Sequence, residues 1–114
     1  MATERWVVFT PLSHWVRLSE AAWTQKLLVS HPELGTRPEY ERELRLALEH
    51  PDFVIEGWGG EILSLRWCQD APHGAKHLCV VYRPGEPTGF VITAFFISRY
   101  DRLLRRPMRW KPRR

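Results

Sequence analysis

The fold is decided by residues 53–98, which read FVIEGWGGEILSLRWCQDAPHGAKHLCVVYRPGEPTGFVITAFFIS. Runs of aliphatic and aromatic residues alternate here with short loops of glycine, proline and polar residues. They predict strands at Phe53 to Glu56, Ile62 to Trp67, His77 to Arg83 and Phe90 to Ser98. Because consecutive strands with short connections pair with their neighbours, we expect a four-stranded antiparallel meander.

Two helices are predicted before this meander. Ser19 fits an N-cap for a helix over residues 20–30, which ends where His31 precedes a proline. The sequence Thr36-Arg-Pro-Glu39 fits a capping box for a second helix, which runs to about His50. Each helix has one apolar face, so we expect both to pack on one side of the sheet and to leave its other side open.

The sequence therefore predicts an α+β domain over residues 1–98, with two N-terminal helices on a four-stranded antiparallel sheet. Arg5 to Thr10 favours a short strand, and Trp15 to Leu18 favours a second extended piece. Residues 99–114 form an arginine-rich C-terminal tail.

The positive charge of the chain is concentrated in this tail. Residues 99–114 hold eight basic side chains and one acidic side chain, whereas residues 1–98 hold nine basic and twelve acidic side chains. A cationic tail suits a polyanion such as RNA, and arginine favours bidentate contacts to phosphate or carboxylate. A solvated tail that aids solubility and a tail that binds an acidic protein are the alternatives.

Composition excludes several classes of protein. No stretch approaches the roughly 20 apolar residues of a membrane-spanning helix, and Met1 to Val8 lacks the features of a signal peptide. Cys68 and Cys79 belong to no CxxC pair and fit buried, reduced thiols. We therefore expect a cytoplasmic protein without a membrane partner, a metal ion or a cofactor.

Five motifs occur in an order that is typical of one nuclease family. They are His31-Pro-Glu-Leu34, Leu48-Glu-His-Pro-Asp52, Leu65-Arg66, Leu78-Cys-Val-Val-Tyr82 and Gly89-Phe-Val-Ile-Thr-Ala94. Over about residues 19–98 the chain resembles the phage-associated branch of the barnase–EndoU–colicin–RelE-like (BECR) nucleases. The first eighteen residues and the tail lie outside this resemblance.

The resemblance implies an endoribonuclease that cleaves RNA without a metal ion on an open antiparallel sheet, in the setting of a phage, a toxin or a mobile element. It also implies that His31, Arg66 and Thr93 are the catalytic residues. A histidine can move protons near neutral pH, an arginine can stabilise the charge on the phosphate, and a threonine hydroxyl can orient it.

Structural roles compete with these assignments. His31 can interact with helix-end carbonyls, Arg66 can form a surface ion pair with Glu56 or Glu61, and Thr93 is a good strand former. The other histidines are interpreted as loop, cap or structural residues: His14, His50, His73 and His77.

The predicted RNA-binding surface extends beyond these residues. Arg83 and Arg99 close predicted strands, and the tail adds further candidates: Arg102, Arg105, Arg106, Arg109 and Trp110. Trp58 and Trp110 can stack on unpaired bases, whereas the other tryptophans fit the core: Trp6, Trp15, Trp23 and Trp67.

The first functional hypothesis is thus a metal-independent ribonuclease with RNA, the ribosome or an antitoxin as partner. The second is a non-catalytic module that binds RNA or a protein. The third is an accessory subunit whose tail binds an acidic protein or a ribosome.

Overall fold

The computed structural model describes residues 3–113 and has an α+β fold with one mixed sheet of seven strands. The strands are β1 (Glu4–Phe9), β2 (Trp15–Ser19), β3 (Phe53–Glu56), β4 (Ile62–Cys68), β5 (Lys76–Arg83), β6 (Gly89–Ile97) and β7 (Met108–Trp110). Their order across the sheet is β1-β2-β6-β5-β4-β3-β7. None of the helices within residues 3–113 has the length and apolar character that a membrane crossing requires.

Two helical segments of the chain, which lie between β2 and β3 in sequence, pack on one face of this sheet. The first consists of α1 (Glu20–Ala22), a π-helical stretch (Trp23–Leu27) and α2 (Leu28–Ser30), which are continuous along the chain. A 3₁₀ turn (Pro32–Gly35) leads from it to α3 (Pro38–Glu49), and a second 3₁₀ turn lies at Leu103–Arg105.

The prediction of a four-stranded antiparallel sheet is wrong, because three further strands extend the sheet at its two edges. Strands β3, β4, β5 and β6 are antiparallel neighbours. Strand β2 pairs in parallel with β6, where Arg17 lies opposite Phe90, and β1 adds to β2 as a hairpin. Strand β7 comes from the arginine-rich tail and pairs with β3, so the tail is part of the sheet.

The start of α3 also differs from the prediction. Ser19 caps α1 as expected, since its Oγ accepts a hydrogen bond from the Ala22 N–H at 3.0 Å. The capping box at Thr36 does not form, because the Thr36 hydroxyl donates to the carbonyl of Glu33 at 2.7 Å and closes the 3₁₀ turn instead. Arg37 therefore occupies the N-cap position of α3.

Strand β4 holds the end of α3 against the sheet. The last carbonyls of a helix have no intrahelical donor, and Pro51 lacks the N–H that Ala47 would otherwise receive. The Ser64 hydroxyl donates to the Ala47 carbonyl at 2.5 Å, and Arg66 Nη1 donates to the His50 carbonyl at 2.6 Å. Two side chains on the helix-facing side of β4, two residues apart, thus provide hydrogen-bond donors for the carbonyl groups at the end of α3.

The sheet is apolar on both faces. The main core lies between sheet and helices, and its fully buried residues include Leu27, Leu44, Leu48, Val54, Leu78, Val80 and Tyr82. On the opposite face, which we call the outer face, a second cluster contains Ile55, Leu63, Leu65, Cys79 and Val81.

Residues 99–106, which we call the crossing segment, pass over this outer face. Tyr100 and Leu103 pack on the second cluster. The expectation that this side of the sheet is open is therefore wrong at its centre, because the apolar side chains of β4 and β5 need cover there.

We predict that Ser64→Ala lowers the free energy of unfolding by about 1–3 kcal/mol, because it leaves the buried Ala47 carbonyl without a donor. Urea denaturation followed by circular dichroism measures the change. The exposed Ser98 is the matched control, and Ser98→Ala should alter stability by less than about 0.5 kcal/mol. Equal midpoints for the two variants would contradict this role of Ser64.

Candidate nucleic-acid interface

Exposed aromatic side chains occupy the outer face at its β1–β2–β6 end. Val16 and Leu18 are buried in the main core, so Trp15 and Arg17, which alternate with them, point to the outer face. Phe9 lies opposite Trp15, and the centroids of the two rings are 4.9 Å apart. Phe9 is 47% exposed and Trp15 is 52% exposed, which is unusual for rings of this size in a folded domain.

Two arginines flank a third exposed ring on the same face. The strand register places Phe90, which is 44% exposed, between Arg17 of β2 and Arg83 of β5. Arg83 and Phe90 are directly opposite on antiparallel strands, where Cβ atoms are about 4.5–5.5 Å apart. We call Phe9, Trp15, Arg17, Arg83 and Phe90 the aromatic platform.

The two arginines of the platform differ in their contacts. Arg83 Nη1 donates to the Gly59 carbonyl at 3.0 Å, and Arg83 Nη2 lies 3.7 Å from a carboxylate oxygen of Glu61. Arg17 has no side-chain hydrogen bond or ion pair with any residue between 3 and 113, so its charge is available to a ligand.

The crossing segment adds further cations to the outer face. Arg99, Arg102 and Arg105 are exposed, and none of them has a side-chain partner within residues 3–113. Tyr100 and Leu103, which alternate with them, anchor the segment on the sheet. Since anchoring residues and arginines alternate, the arginines project from a chain segment that is itself fixed.

The remaining predicted residues of the tail have structural contacts. Arg106 donates to the carbonyls of Gly57 at 2.6 Å and Glu56 at 3.3 Å, and its guanidinium lies 5.0 Å from the ring centroid of Trp58. Arg109 is 3.6 Å from Glu56. Trp110 packs against the main core, so it is not a free ring for stacking.

Two of the three predicted catalytic residues lie at one edge of the outer face. The ring of His31 lies beside Phe95 of β6, with centroids 5.9 Å apart, and Phe95 packs on the outer cluster. Thr93 lies opposite Val81 of the same cluster and two residues before Phe95, so it shares the outer face. His31 Nδ1 is 3.4 Å from Glu33 Oε1.

Arg66 does not join them, because it faces the helices. Its guanidinium donates to the His50 carbonyl, and its Nε lies 3.8 Å from Glu43 rather than near Glu56 or Glu61. The predicted trio of His31, Arg66 and Thr93 is therefore divided between the two faces of the sheet and does not form one site.

A second histidine site was not singled out by the sequence. His77 is only 8% exposed at the outer-face end of β5, and its ring centroid is 4.2 Å from that of Tyr100 and 5.1 Å from that of Trp67. Burial lowers the pKa of His77, and the Asp52 carboxylate partly offsets this effect. Its Nδ1 is buried without a hydrogen-bond partner in the described part of the chain.

Alternation along β5 could have identified this position from the sequence. His77 lies two and four residues before Cys79 and Val81, so it shares the apolar outer face with them. His14, which is half-buried, lies at the other end of β5, where its Nδ1 is 2.9 Å from the Tyr82 hydroxyl. Burial and the charge of Arg109 lower the pKa of His14. Residues 3–113 contain no group of three His, Cys, Asp or Glu side chains that could hold a metal ion.

We predict that His77 titrates below the ordinary histidine pKa of about 6.5 and that Asp52→Asn lowers its pKa further. The unfolded chain then binds this proton more tightly than the folded one, so the free energy of unfolding should decrease as the pH falls below about 6.5. Imidazole resonances in proton–carbon NMR spectra report the pKa, with exposed Asp70→Asn as the control. A His77 pKa at or above 6.5 would contradict the buried position.

Family models, curated proteins and solved structures were all searched, and no match to this chain was found. The resemblance to the BECR nucleases therefore stays a prediction.

Proposed function

We propose that this protein binds single-stranded RNA on the outer face of its sheet. The observation that supports this function is that exposed aromatic rings and arginines without a partner in residues 3–113 share one face. Aromatic rings stack on bases of any sequence, and arginine forks bind phosphate oxygens. Bases can stack on the aromatic platform only when they are unpaired, which favours a single strand over a duplex.

The choice of RNA and of the cytoplasm draws on further features. The resemblance to ribonucleases favours RNA over DNA as the ligand. Cys68 and Cys79 are both buried and form no disulfide, which is typical of proteins in reducing compartments. We therefore place the proposed RNA binding in the cytoplasm.

Phe90→Ala and Trp15→Ala should each weaken binding of a labelled single-stranded RNA about 5- to 100-fold, because each removes one stacking surface. Fluorescence anisotropy measures the affinity. Val29→Ala is the control, since Val29 is an exposed apolar side chain on the helix side, and it should leave the affinity unchanged.

Arg102→Gln should reduce the slope of log K against log salt by about one, because it removes one phosphate contact. Arg42→Gln removes an exposed arginine from α3 and should not change this slope. If the platform and Arg102 variants bind RNA as the wild type does, the outer face is not the RNA-binding surface.

We also propose that the bound RNA is cleaved without a metal ion, with His31 as the proton-transfer residue. This second function is supported by the position of His31 and Thr93 at one edge of the outer face and by the Glu33 carboxylate beside His31 Nδ1. A carboxylate on one ring nitrogen orients the imidazole and leaves the other nitrogen to accept the proton of a 2′-hydroxyl. A toxin role with an antitoxin or ribosome as partner belongs to the same proposal and is supported by the resemblance alone.

In this mechanism Arg66 is not the residue that stabilises the phosphate. The outer face, which His31 and Thr93 share, instead offers the cations of the crossing segment, Arg99, Arg102 and Arg105, in addition to those of the aromatic platform. His31 takes the proton of the 2′-hydroxyl, and the 2′-oxygen attacks the neighbouring phosphorus. The 5′-oxygen leaves and takes up a proton from water, so that a cyclic phosphate end remains.

We expect His31→Ala to lower the cleavage rate of labelled single-stranded RNA in EDTA about 100-fold or more while the RNA still binds. His50 also precedes a proline and is exposed, so His50→Ala is the matched control and should cleave normally. Cyclic phosphate ends, detected by gel mobility before and after acid treatment, identify the reaction. Intact RNA with the wild type would leave RNA binding as the only function.

A further inference from the structure

We propose that the cavity beside His77 binds one unstacked nucleotide of the RNA, with the base inside and its phosphate at the rim. This inference rests on the proposed RNA-binding function and specifies how one nucleotide is held. The cavity has a volume of about 440 Å³ and is lined by Asp52, Phe53, His77, Met108, Lys111 and Pro112. Its volume falls within the range of small-molecule sites, about 300–1,000 Å³.

The walls of the cavity suit the flat faces of a base. Phe53 lies at the start of β3, and the pairing of β7 with β3 brings Met108 to the same side of the sheet. Aromatic rings and thioethers both make favourable contacts with flat π-systems. Pro112 adds a third apolar side chain, so the part of the cavity formed by these residues favours an uncharged group.

His77 supplies the polar group that a base edge requires. It is more than nine-tenths buried, and its Nδ1 has no hydrogen-bond partner within residues 3–113. Its Nε2 also has no partner there, but it is not among the buried atoms, so it is the ring nitrogen that a ligand can reach. In a neutral imidazole this nitrogen is either a donor or an acceptor, depending on the tautomer, and the polar edge of a base offers partners for both.

The charges around the cavity orient the nucleotide. Lys111 is exposed and has no ion pair in the described part of the chain, so its ammonium group can bind a phosphate at the rim. Asp52 lines the same cavity, and its Oδ2 accepts a hydrogen bond from the Trp67 N–H at 2.5 Å. Since a carboxylate repels a phosphate, Asp52 favours a nucleotide whose phosphate lies on the Lys111 side of the cavity.

The test uses the full-length protein with uridine 5′-monophosphate and adenosine 5′-monophosphate as separate probes. At least one of them should shift the imidazole resonances of His77 in NMR spectra. Titration of this shift against nucleotide concentration gives the dissociation constant. Lys111→Ala should raise this constant about tenfold, because it removes the phosphate contact. Arg113→Ala removes a neighbouring exposed cation that does not line the cavity and should change it by less than about twofold.

Met108→Ala separates the contact with the base from the contact with the phosphate. Met108 is 46% exposed, so the variant should fold, and it should also weaken binding of the nucleoside, which has no phosphate. Lys111→Ala should leave nucleoside binding unchanged. Inorganic phosphate that shifts His77 as strongly as the nucleotides do would overturn the proposal and indicate an anion site.

The failure of this inference can be told apart from the failure of the proposed function. If single-stranded RNA binds and depends on Phe90 but no mononucleotide shifts His77, the cavity is not a nucleotide site and the aromatic platform alone binds RNA. If a mononucleotide shifts His77 but RNA does not bind, the RNA-binding proposal fails and the cavity serves a free nucleotide.

Discussion

The apolar character of both faces of β4 and β5 is the constraint on which the rest of this structure depends. Leu78, Val80 and Tyr82 of β5 face the helices, while Cys79 and Val81 face the other way. A sheet of this kind is stable in water only when both faces are covered. Burial raises the pKa of the Cys79 thiol to about 12, as expected for a position from which water is excluded.

The helices cover one face of the sheet and the crossing segment covers the other, and the two carry different charged side chains. The helices cover one face and hold acidic side chains such as Glu20 and Glu41, which form a network with Arg5. The crossing segment covers the centre of the other face with Tyr100 and Leu103 and projects arginines from it. The same segment leads into β7, and Arg106 before β7 and Arg109 within it bind Gly57 and Glu56 at the end of β3.

The crossing segment covers only the centre of the outer face and leaves a region on each side of it accessible. Toward β1, β2 and β6 lie the aromatic platform, His31 and Thr93. Toward β3 and β7 lies the cavity of His77 and Lys111. A single strand that contacts both regions must pass the arginines of the crossing segment, since all three share the outer face.

The sequence by itself determined the strand runs of residues 53–98, the first helix with its Ser19 cap, and the concentration of cations after residue 98. These are local properties, because β-propensity, capping and charge are read from neighbouring residues. The alternation in Trp15-Val-Arg-Leu18 also indicates that Trp15 shares a face with Arg17, although a tryptophan at this position fits the core by residue type.

Only the tertiary structure decided on which face of the sheet each candidate side chain lies. Arg66 alternates with Leu65 as predicted, but both faces of β4 are covered, so alternation could not tell that Arg66 points to the helix end at His50. The parallel pairing of β2 with β6 and the addition of β7 join segments that are distant along the chain, and no local pattern specifies such pairs. The identity of the candidate residues could therefore be predicted from the sequence. The face of the sheet on which each of them lies depended on long-range packing.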